Sequence, residues 1–220
     1  MRMRKKPNLI PRMERCAALQ ITEPEKLKGR WQREFSQYKS IRLEIGCGKG
    51  RFTCEEALRE PEILLIAIEK VQDAMVVAEE RALEQNIPNL RFIDFDAEKL
   101  LDIFEDGEIE RIYINFPDPW RKTRQYKRRL SAPAFLERYT RVLPDGGEVW
   151  FKTDNEPLFQ WSMESFAQNG WTVRDMPDGT PMTDYELKFT EQGIPIHRVI
   201  ATVPEKTERL PLGEAVSVAD

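Results

Sequence analysis

Residues 41–50, with the sequence IRLEIGCGKG, decide the fold that we predict for this chain. The first five positions carry mostly branched aliphatic side chains, which favour a β-strand, and the glycines that follow favour a tight loop. A helix is predicted directly after the loop, over residues 52–59. A glycine loop in this place lets the backbone approach a bound molecule closely. The stretch therefore predicts the first strand–loop–helix unit of a ligand-binding α/β domain.

The same alternation continues along the rest of the chain. Further strands are predicted at residues 63–68, 90–93, 112–116, 148–153, 171–174 and 198–203. Helices are predicted at residues 74–86, 98–104, 133–143 and 158–169, with Ser131 capping the third of these. The run at 63–68 is continuously apolar, as in a strand covered on both faces. The alternation indicates an α/β fold with a mostly parallel sheet and a ligand beyond the carboxyl ends of its strands, near the first.

Residues 1–40 carry basic and aromatic side chains without firm periodicity. We predict a leading helix over residues 21–38, because Leu27, Trp31 and Phe35 recur at helical spacing. The charge of residues 1–21 fits a floppy tail and an arm that touches nucleic acid equally well. We therefore divide the chain into a basic N-terminal arm with its leading helix, residues 1–40, and an α/β region, residues 41–220, within a single domain overall.

The composition excludes some classes of protein. The chain has 34 Lys and Arg against 38 Asp and Glu, a net charge of -4, which argues against general affinity for nucleic acid. The charge is uneven, however, because residues 1–15 and 121–129 are basic, and such patches decide where a polyanion docks. No apolar run is long enough to span a membrane. The three cysteines form no C-x-x-C pair, which predicts a reduced, cytoplasmic chain without a metal site.

The glycine loop has the spacing G-x-G-x-G, which differs from that of dinucleotide-binding loops. Gly46 and Gly48 leave the backbone open to a ligand. Glu44, within the strand end, would repel a pyrophosphate and suits a ligand with an ammonium group. S-adenosylmethionine carries an ammonium and a sulfonium group and no phosphate, so it fits this loop. A plain tight turn is the alternative.

Two further acids follow the next two strands. Glu69 ends the second strand, about 20 residues beyond the glycines, where a carboxylate can accept both hydroxyls of a ribose. Asp96 follows the third strand and could accept a hydrogen bond from an adenine amino group, with Asp94 as a rival for that role. Acids at three successive strand ends, beside a glycine loop, predict a cleft for adenosine joined to an amino acid. This is the cofactor cleft of class I methyltransferases.

The fourth strand leads into residues 115–130, NFPDPWRKTRQYKRRL. Pro117 and Pro119 end the strand pairing and stiffen the turn that carries Asp118. A basic segment, residues 121–129, follows with no acid in it. A rigid acid beside a run of cations predicts a reacting centre next to a surface for a polyanion. A turn acid next to a solvated helix end is the alternative.

These residues closely resemble the bacterial tRNA (guanine-N7)-methyltransferase family. The resemblance extends through Phe151-Lys152-Thr153-Asp154-Asn155 and Thr183-Asp184-Tyr185-Glu186, and covers about residues 43–198. It implies a class I methyltransferase fold of about seven strands, the last antiparallel, with helices on both faces. It also implies S-adenosylmethionine as cofactor, tRNA as partner, and a monomer or homodimer. The family often has proline at position 121 and histidine at 125, where this chain has Arg121 and Gln125, which loosens the turn after Trp120 and argues against a required histidine at 125.

The resemblance also assigns roles to individual residues. It implies that Asp118 is catalytic and, with Glu44, Glu69 and Asp96, contacts or borders the cofactor. The residues that it assigns to the substrate nucleotide are Lys122, Asp154, Thr183, Tyr185 and Glu186. The residues that it assigns to the RNA backbone are Arg124, Lys127, Arg128 and Arg129.

Attack by guanine N7 needs no general base from the protein, because N7 carries no proton and its lone pair is available. This suits a chain whose only histidine, His197, we interpret as structural. Trp120 is a candidate to stack on the target base, or a wall residue. Three alternatives stand beside this reading: an amino-group methyltransferase, a tRNA-binding protein with a disused cleft and, least favoured, a nicotinamide oxidoreductase.

Overall fold

A seven-stranded sheet forms the centre of the computed structural model, which describes residues 6–205. Its strands are β1 (Ser40–Ile45), β2 (Ile63–Glu69), β3 (Leu90–Asp94), β4 (Arg111–Asn115), β5 (Glu148–Thr153), β6 (Thr172–Arg174) and β7 (His197–Thr202). The strand order is β3-β2-β1-β4-β5-β7-β6. The strands from β3 to β5 are parallel, and β7 runs antiparallel to both β5 and β6. The predicted fold, a mostly parallel sheet with an antiparallel last strand, is confirmed.

The strand order reverses beside β1, because β2 and β3 lie on one side of it and β4 and β5 on the other. Connections after β1 and β4 therefore leave in opposite directions and open a crevice at the carboxyl ends of these two strands. The register places Ile45 opposite Ile114, so both strands end at the same level. The topology thus locates a ligand cleft where the sequence analysis expected it.

Helices cover both faces of the sheet. They are α1 (Leu9–Arg15), α2 (Trp31–Glu34), α3 (Arg51–Arg59), α4 (Gln72–Glu84), α5 (Leu100–Ile103), α6 (Pro133–Val142), α7 (Glu156–Gln168) and α8 (Asp184–Glu191). Strand β2 shows how the core is divided: Leu64 and Ile66 join the cluster under α5–α7, whereas Leu65 and Ala67 join the one under α3 and α4. Both faces of β2 are buried, as its continuous apolar sequence predicts.

Two local helix predictions are wrong. The predicted helix at 21–38 is broken into a 3-10 turn, Pro24–Leu27, and the short α2, because Gly29 adopts a left-handed conformation with φ +70°. Ser131 does not cap α6; its hydroxyl hydrogen-bonds that of Ser162 at 2.6 Å, and Ala132 is the cap residue. The apolar spacing was still informative, because Trp31 is fully buried in the main core and its indole donates to the Ile103 carbonyl at 2.7 Å.

The described part of the N-terminal arm, from residue 6, is packed against helix α4 and the edge strand β3. The side chain of Arg12 in α1 donates to Glu80 of α4 at 2.7 Å. Further on, the Ile21 amide donates to the Phe92 carbonyl at 2.9 Å, and Gln20 forms a parallel bridge with Phe92 in the edge strand β3. Residues 6–21 are therefore not a floppy tail. Residues 1–5 of the predicted arm lie outside the described residues.

The three cysteines, Cys16, Cys47 and Cys54, are free and buried. Burial raises the pKa of the Cys54 thiol to about 12. Within residues 6–205, no group of three potential metal-binding side chains comes together. No helix in this part of the chain is long and apolar enough to cross a membrane.

Candidate active site

Gly46, the first residue of the glycine loop, lines the floor of a cleft at the carboxyl ends of β1 and β2, whereas Gly48 is not among the residues that line it. Gly46 has φ +79°, which side chains disfavour, and the space where its Cβ would lie is open. Gly50 has a different role: a Cβ there would lie 2.5 Å from that of Ala78, so glycine lets α3 approach α4. The glycine at position 46 therefore keeps the cleft open, and the glycine at position 50 allows the two helices to pack closely.

Glu44 lies beneath this floor. Its side chain is 1% exposed, and its carboxylate accepts hydrogen bonds from Thr53 Oγ1 at 2.5 Å and Asn115 Nδ2 at 3.1 Å. Burial raises the pKa of Glu44 to about 7, although both hydrogen bonds act in the opposite direction. The neighbouring Ile45 and Gly46 line the cleft. The predicted contact between Glu44 and a ligand ammonium stays a prediction.

Glu69 is held in a fixed orientation at the end of β2. Its carboxylate accepts hydrogen bonds from three backbone amides, those of Gly48 at 3.0 Å, Lys70 at 3.0 Å and Val71 at 2.9 Å. One of these amides belongs to the glycine loop, so the acid and the loop are positioned together. Glu69 also lines the cleft, where remaining lone pairs can accept hydroxyl groups.

Asp96, and not its rival Asp94, lines the cleft. Asp96 begins the 3-10 turn Ala97–Lys99 and accepts the Glu98 amide at 3.0 Å. Asp94 is exposed and accepts a hydrogen bond from the side chain of Gln72. Of the two acids, Asp96 is therefore the one placed to meet a ligand in the cleft, and its contact with adenine stays a prediction.

Asp118 stands on the opposite wall of the same cleft. The cleft has a volume of about 510 Å³ and is also lined by Gly46, Glu69 and Asp96. We call residues 115–120 the Asp118 turn. Two of its residues adopt left-handed backbone, Phe116 with φ 52° and Trp120 with φ 40°. Phe116 comes directly before the first proline of the turn, and Trp120 directly after the second. Asp118 is exposed to solvent at this wall.

The basic segment continues from the Asp118 turn as a 3-10 helix, Thr123–Arg128. Lys122, Arg124, Lys127 and Arg128 are exposed on it. Arg128 also lines the cleft, with its guanidinium carbon 5.1 Å from the centre of the Trp120 ring. A band of exposed cations thus begins at the cleft edge, as expected for a surface that meets phosphates.

Arg129 requires a correction. It was expected among the RNA contacts, but it is only 4% exposed. Its Nε donates to the Pro119 carbonyl at 3.0 Å, and its guanidinium carbon lies 3.6 Å from the Tyr126 ring centre. The Nε–H is satisfied by this hydrogen bond and the planar group stacks on Tyr126, so the side chain packs mainly against the protein.

Of the predicted substrate residues in segment 183–186, Tyr185 lies beside the cleft, whereas Thr183 and Glu186 make contacts within the protein. Thr183 caps α8 through a hydrogen bond from the Glu186 amide at 2.9 Å. Tyr185 is 53% exposed and stacks on Phe116, with ring centres 6.4 Å apart. Since Phe116 lines the cleft, Tyr185 lies beside it. Asp154 directly follows β5 at the same edge of the sheet and is half-buried.

Glu186 also requires a correction, because its side chain is fully buried. Its carboxylate lies 3.2 Å from Lys152 Nζ and 2.8 Å from Arg198 Nη2. Lys152, which donates to the Pro181 carbonyl at 2.9 Å as well, joins β5 to the loop before α8. Burial lowers the pKa of Lys152, and the charge of Glu186 opposes this effect. In this geometry Glu186 stabilises segment 183–186 from within and is not among the residues that line the cleft.

Sequence reasoning missed Lys152 and Asn115. Lys152 occupies a position in a predicted buried strand, and a lysine there needs a buried carboxylate partner. That requirement was the available signal, but nothing in the sequence identified Glu186, 34 residues away, as the partner. Asn115 begins the segment that carries the family resemblance, but its hydrogen bond to Glu44 was not predicted.

Comparisons with known proteins agree on the family and on the fold. A family model described as a putative methyltransferase matches residues 38–199. The chain is 43% identical to a tRNA (guanine-N(7)-)-methyltransferase of Listeria welshimeri over 209 residues, covering 91% of this chain and 98% of the relative. It is 41% identical to a protein of the same name from a Geobacillus species, covering 95% and 99%.

Solved structures show the same fold at low identity. The 16S rRNA methyltransferase KamB superposes with a TM-score of 0.60 at 17% identity, covering 80% of this chain and 93% of that one. A 16S rRNA (adenine(1408)-N(1))-methyltransferase from Catenulisporales acidiphilia gives a TM-score of 0.59 at 14% identity, covering 83% and 94%. These likenesses concern the fold alone, whereas the matches over nearly the full length decide the family: this chain belongs to the tRNA (guanine-N(7)-)-methyltransferases, which have a class I methyltransferase fold.

Proposed function

We propose that the protein transfers a methyl group from S-adenosylmethionine to N7 of a variable-loop guanine in tRNA. One observation carries the proposal: Asp118 lies on the wall of a cleft lined by Gly46, Glu69 and Asp96, directly beside the exposed cations of the basic segment. The cleft and the cationic surface meet at the Asp118 turn. A nucleotide of a bound RNA can therefore reach the cleft while its phosphates stay on the cations.

The residues of the cleft fit S-adenosylmethionine, which supplies an electrophilic methyl group when bound. Glu69, held by three amides, is prepared to accept ribose hydroxyls, and Asp96 to accept an adenine amino group. The open space above Gly46 admits the chain between ribose and amino acid. Glu44, beneath the floor, is the carboxylate nearest in sequence to that loop and the candidate for the ammonium group.

The proposed reaction needs no general base from the protein. Guanine N7 attacks with its own lone pair, so catalysis depends on holding the base in line with the methyl group and on stabilising the positive charge that develops. Asp118 supplies a negative charge at the cleft wall, and Tyr185, stacked on Phe116, offers a ring face to the base. His197 stacks on Phe159 with ring centres 5.0 Å apart, which supports a structural role.

The geometry disfavours an amino-group methyltransferase. Such enzymes use a polar residue at the start of the corresponding turn to hold an exocyclic amino group. Here Asp118 separates the two prolines that are adjacent in that turn, so the cleft wall carries an additional carboxylate. The exposed cations also favour a large polyanion as substrate. Three free thiols suit a reducing compartment, so we propose that the reaction takes place in the cytoplasm.

One experiment tests the proposed function directly. Unmodified tRNA is incubated with the purified protein and methyl-labelled S-adenosylmethionine, then digested to nucleosides and mapped. The expected product is 7-methylguanosine in the variable loop. Label in an amino-methylated nucleoside would favour the amino-group alternative. Tight tRNA binding without any label would favour a binding protein with a disused cleft.

The exposed cations give a prediction about salt. Replacing Lys127 with alanine, or Arg124 in a second variant, is expected to make the log–log slope of tRNA affinity against salt shallower by about 1, because each cation neutralises about one phosphate. Affinities from filter binding at several salt concentrations measure the slope. Lys39 is the control, since it is also exposed but precedes β1, at the opposite edge of the sheet. A slope that Lys39→Ala changes as much as Lys127→Ala would contradict this surface.

Glu44 gives a prediction about pH. Because its pKa is about 7 in the free protein, its proton must leave before it can pair with an ammonium group. Cofactor affinity is therefore expected to rise about tenfold per pH unit up to pH 7, with release of a proton that calorimetry in two buffers detects. The variant Glu44→Gln should abolish this dependence.

Glu79 is the matched control for Glu44. Burial raises the pKa of Glu79 to about 7 as well, but Glu79 lies in α4 and accepts a hydrogen bond from Gln20 away from the cleft. Each of these acids has a folded-state pKa above the ordinary value of 4.5, so its contribution to stability is present below about pH 4.5 and is lost as the pH rises through about 7. Glu79→Gln should remove one such contribution while the pH dependence of cofactor affinity persists. If both variants behave alike, the ammonium contact is refuted.

A further inference from the structure

We propose that Arg129 is a positioning residue, which holds the Asp118 turn in its reactive geometry and does not bind RNA. The inference rests on the proposed function, because it concerns the residue that stabilises the reacting base there. Arg129 lies at the end of the basic segment, and its charge alone assigns it to the RNA surface. Its contacts assign it to the interior.

The guanidinium of Arg129 joins three parts of the chain. It donates to the Pro119 carbonyl in the Asp118 turn at 3.0 Å. Its carbon lies 3.6 Å from the ring centre of Tyr126, in the basic segment, and 4.6 Å from that of Trp161, in α7. The two rings meet edge to face at 5.7 Å. The turn is thereby attached to the rigid helix α7 through a single side chain.

The Asp118 turn needs such an attachment. Phe116 and Trp120 both hold left-handed backbone, which residues with a Cβ keep only when their surroundings impose it. Pro117 and Pro119 have no amide hydrogen and cannot be fixed by donating one. The Phe116 amide donates to the Lys152 carbonyl at 2.8 Å and fixes the start of the turn. Arg129 fixes its end, and Asp118 lies between the two attachments.

The neighbouring Arg128 differs from Arg129 in its exposure and in its contacts. Arg128 is exposed and lies over the ring of Trp120 at the cleft, whereas Arg129 is 4% exposed. The two successive arginines therefore point to opposite sides of the same segment. A lysine at position 129 would keep the charge but lose the planar group that stacks on Tyr126 while donating along its edge.

The proposal predicts a change in the chemical step alone. Arg129→Ala is expected to lower kcat, measured in single turnover at saturating tRNA and cofactor, by about 100-fold, since a misplacement of about 1 Å can cost that much. Arg129→Lys should lose about tenfold or more despite its charge. In both variants the salt slope of tRNA affinity should match the wild type, whereas Lys127→Ala makes it shallower. Lys39→Ala, far from the turn, should leave both quantities unchanged.

Two results would overturn the proposal. One is an Arg129→Ala variant with normal kcat at saturation and a salt slope shallower by about 1, as an RNA contact requires. The other is full activity in Arg129→Lys.

Hydrogen exchange provides a readout that is independent of activity and applies to Arg129→Lys even if the alanine variant does not fold. Exchange of the Phe116 amide, which is protected by its hydrogen bond to the Lys152 carbonyl at the start of the turn, should become faster, while that of residues 41–45 in β1 stays slow. Unchanged exchange in the turn refutes the attachment. If the wild type forms no 7-methylguanosine, the proposed function fails, but the exchange result still decides the role of Arg129.

Discussion

Replacing Asp118 with alanine is expected to lower kcat for tRNA methylation by about 100- to 1,000-fold, the range measured when one preorganised electrostatic contact to a transition state is lost. Asp118 is the acid that the Asp118 turn holds at the cleft wall, on the side of the basic segment. Methylation leaves a positive charge on the guanine ring, and a fixed carboxylate stabilises it as it forms. Single-turnover rates at saturating tRNA and cofactor measure the loss.

Cofactor binding should survive in part in this variant, because Gly46, Glu69 and Asp96 remain on the other walls. Asp118→Asn removes the charge and keeps the shape, so it separates the electrostatic effect from packing. Asp94→Asn is the matched control, since Asp94 is an exposed strand-end acid outside the cleft. Turnover close to the wild-type rate in Asp118→Ala would remove Asp118 from the mechanism.

Glu186→Ala is expected to destabilise the protein by about 3–5 kcal/mol, the usual cost of removing one partner of a buried ion pair. The fully buried carboxylate neutralises Lys152 at 3.2 Å and also contacts Arg198 at 2.8 Å. Without it, the ammonium of Lys152 stays buried with its charge uncompensated. Urea unfolding followed by tryptophan fluorescence measures the free energy of unfolding.

Two further variants test whether the loss of stability in Glu186→Ala comes from the unpaired charge of Lys152. Glu191→Ala, at the exposed end of the same helix α8, should change stability by less than about 0.5 kcal/mol. Replacing the pair together, as Lys152→Met with Glu186→Leu, should cost less than Glu186→Ala, because no buried ammonium remains. If Glu186 instead bound the substrate directly, Glu186→Ala would raise KM and leave stability unchanged.

The sequence predicted the features of the fold that depend on local residue pattern. Strand β5 is observed at the predicted residues, Glu148–Thr153, because an apolar run bounded by Gly147 and Asp154 has clear ends. The meeting of Glu69 and Asp96 at one cleft followed from topology, since parallel strands end at the same edge of the sheet. The helix at 21–38 failed because Gly29 interrupts a periodicity that is otherwise helical.

The sequence did not predict which charged side chains turn inward. Arg128 and Arg129 are identical in type and adjacent, and they differ in tertiary contacts, of which the one to Trp161 in α7 is the most distant in sequence. Glu186 belongs to a motif assigned to substrate, yet its partners come from β5 and β7. Such choices depend on contacts between distant parts of the chain, and a run of like charges does not reveal them.

The bridge between Gln20 and Phe92 has a consequence for solubility. An edge strand with free backbone amides and carbonyls is a template on which other chains can add and aggregate. At one edge of this sheet, Gln20 and Ile21 occupy part of β3; at the other, β6 has only three residues. A chain shortened to residues 41–220 would lose this cover together with Trp31 from the core. The N-terminal arm thus leaves less of this edge strand open to pairing with another chain.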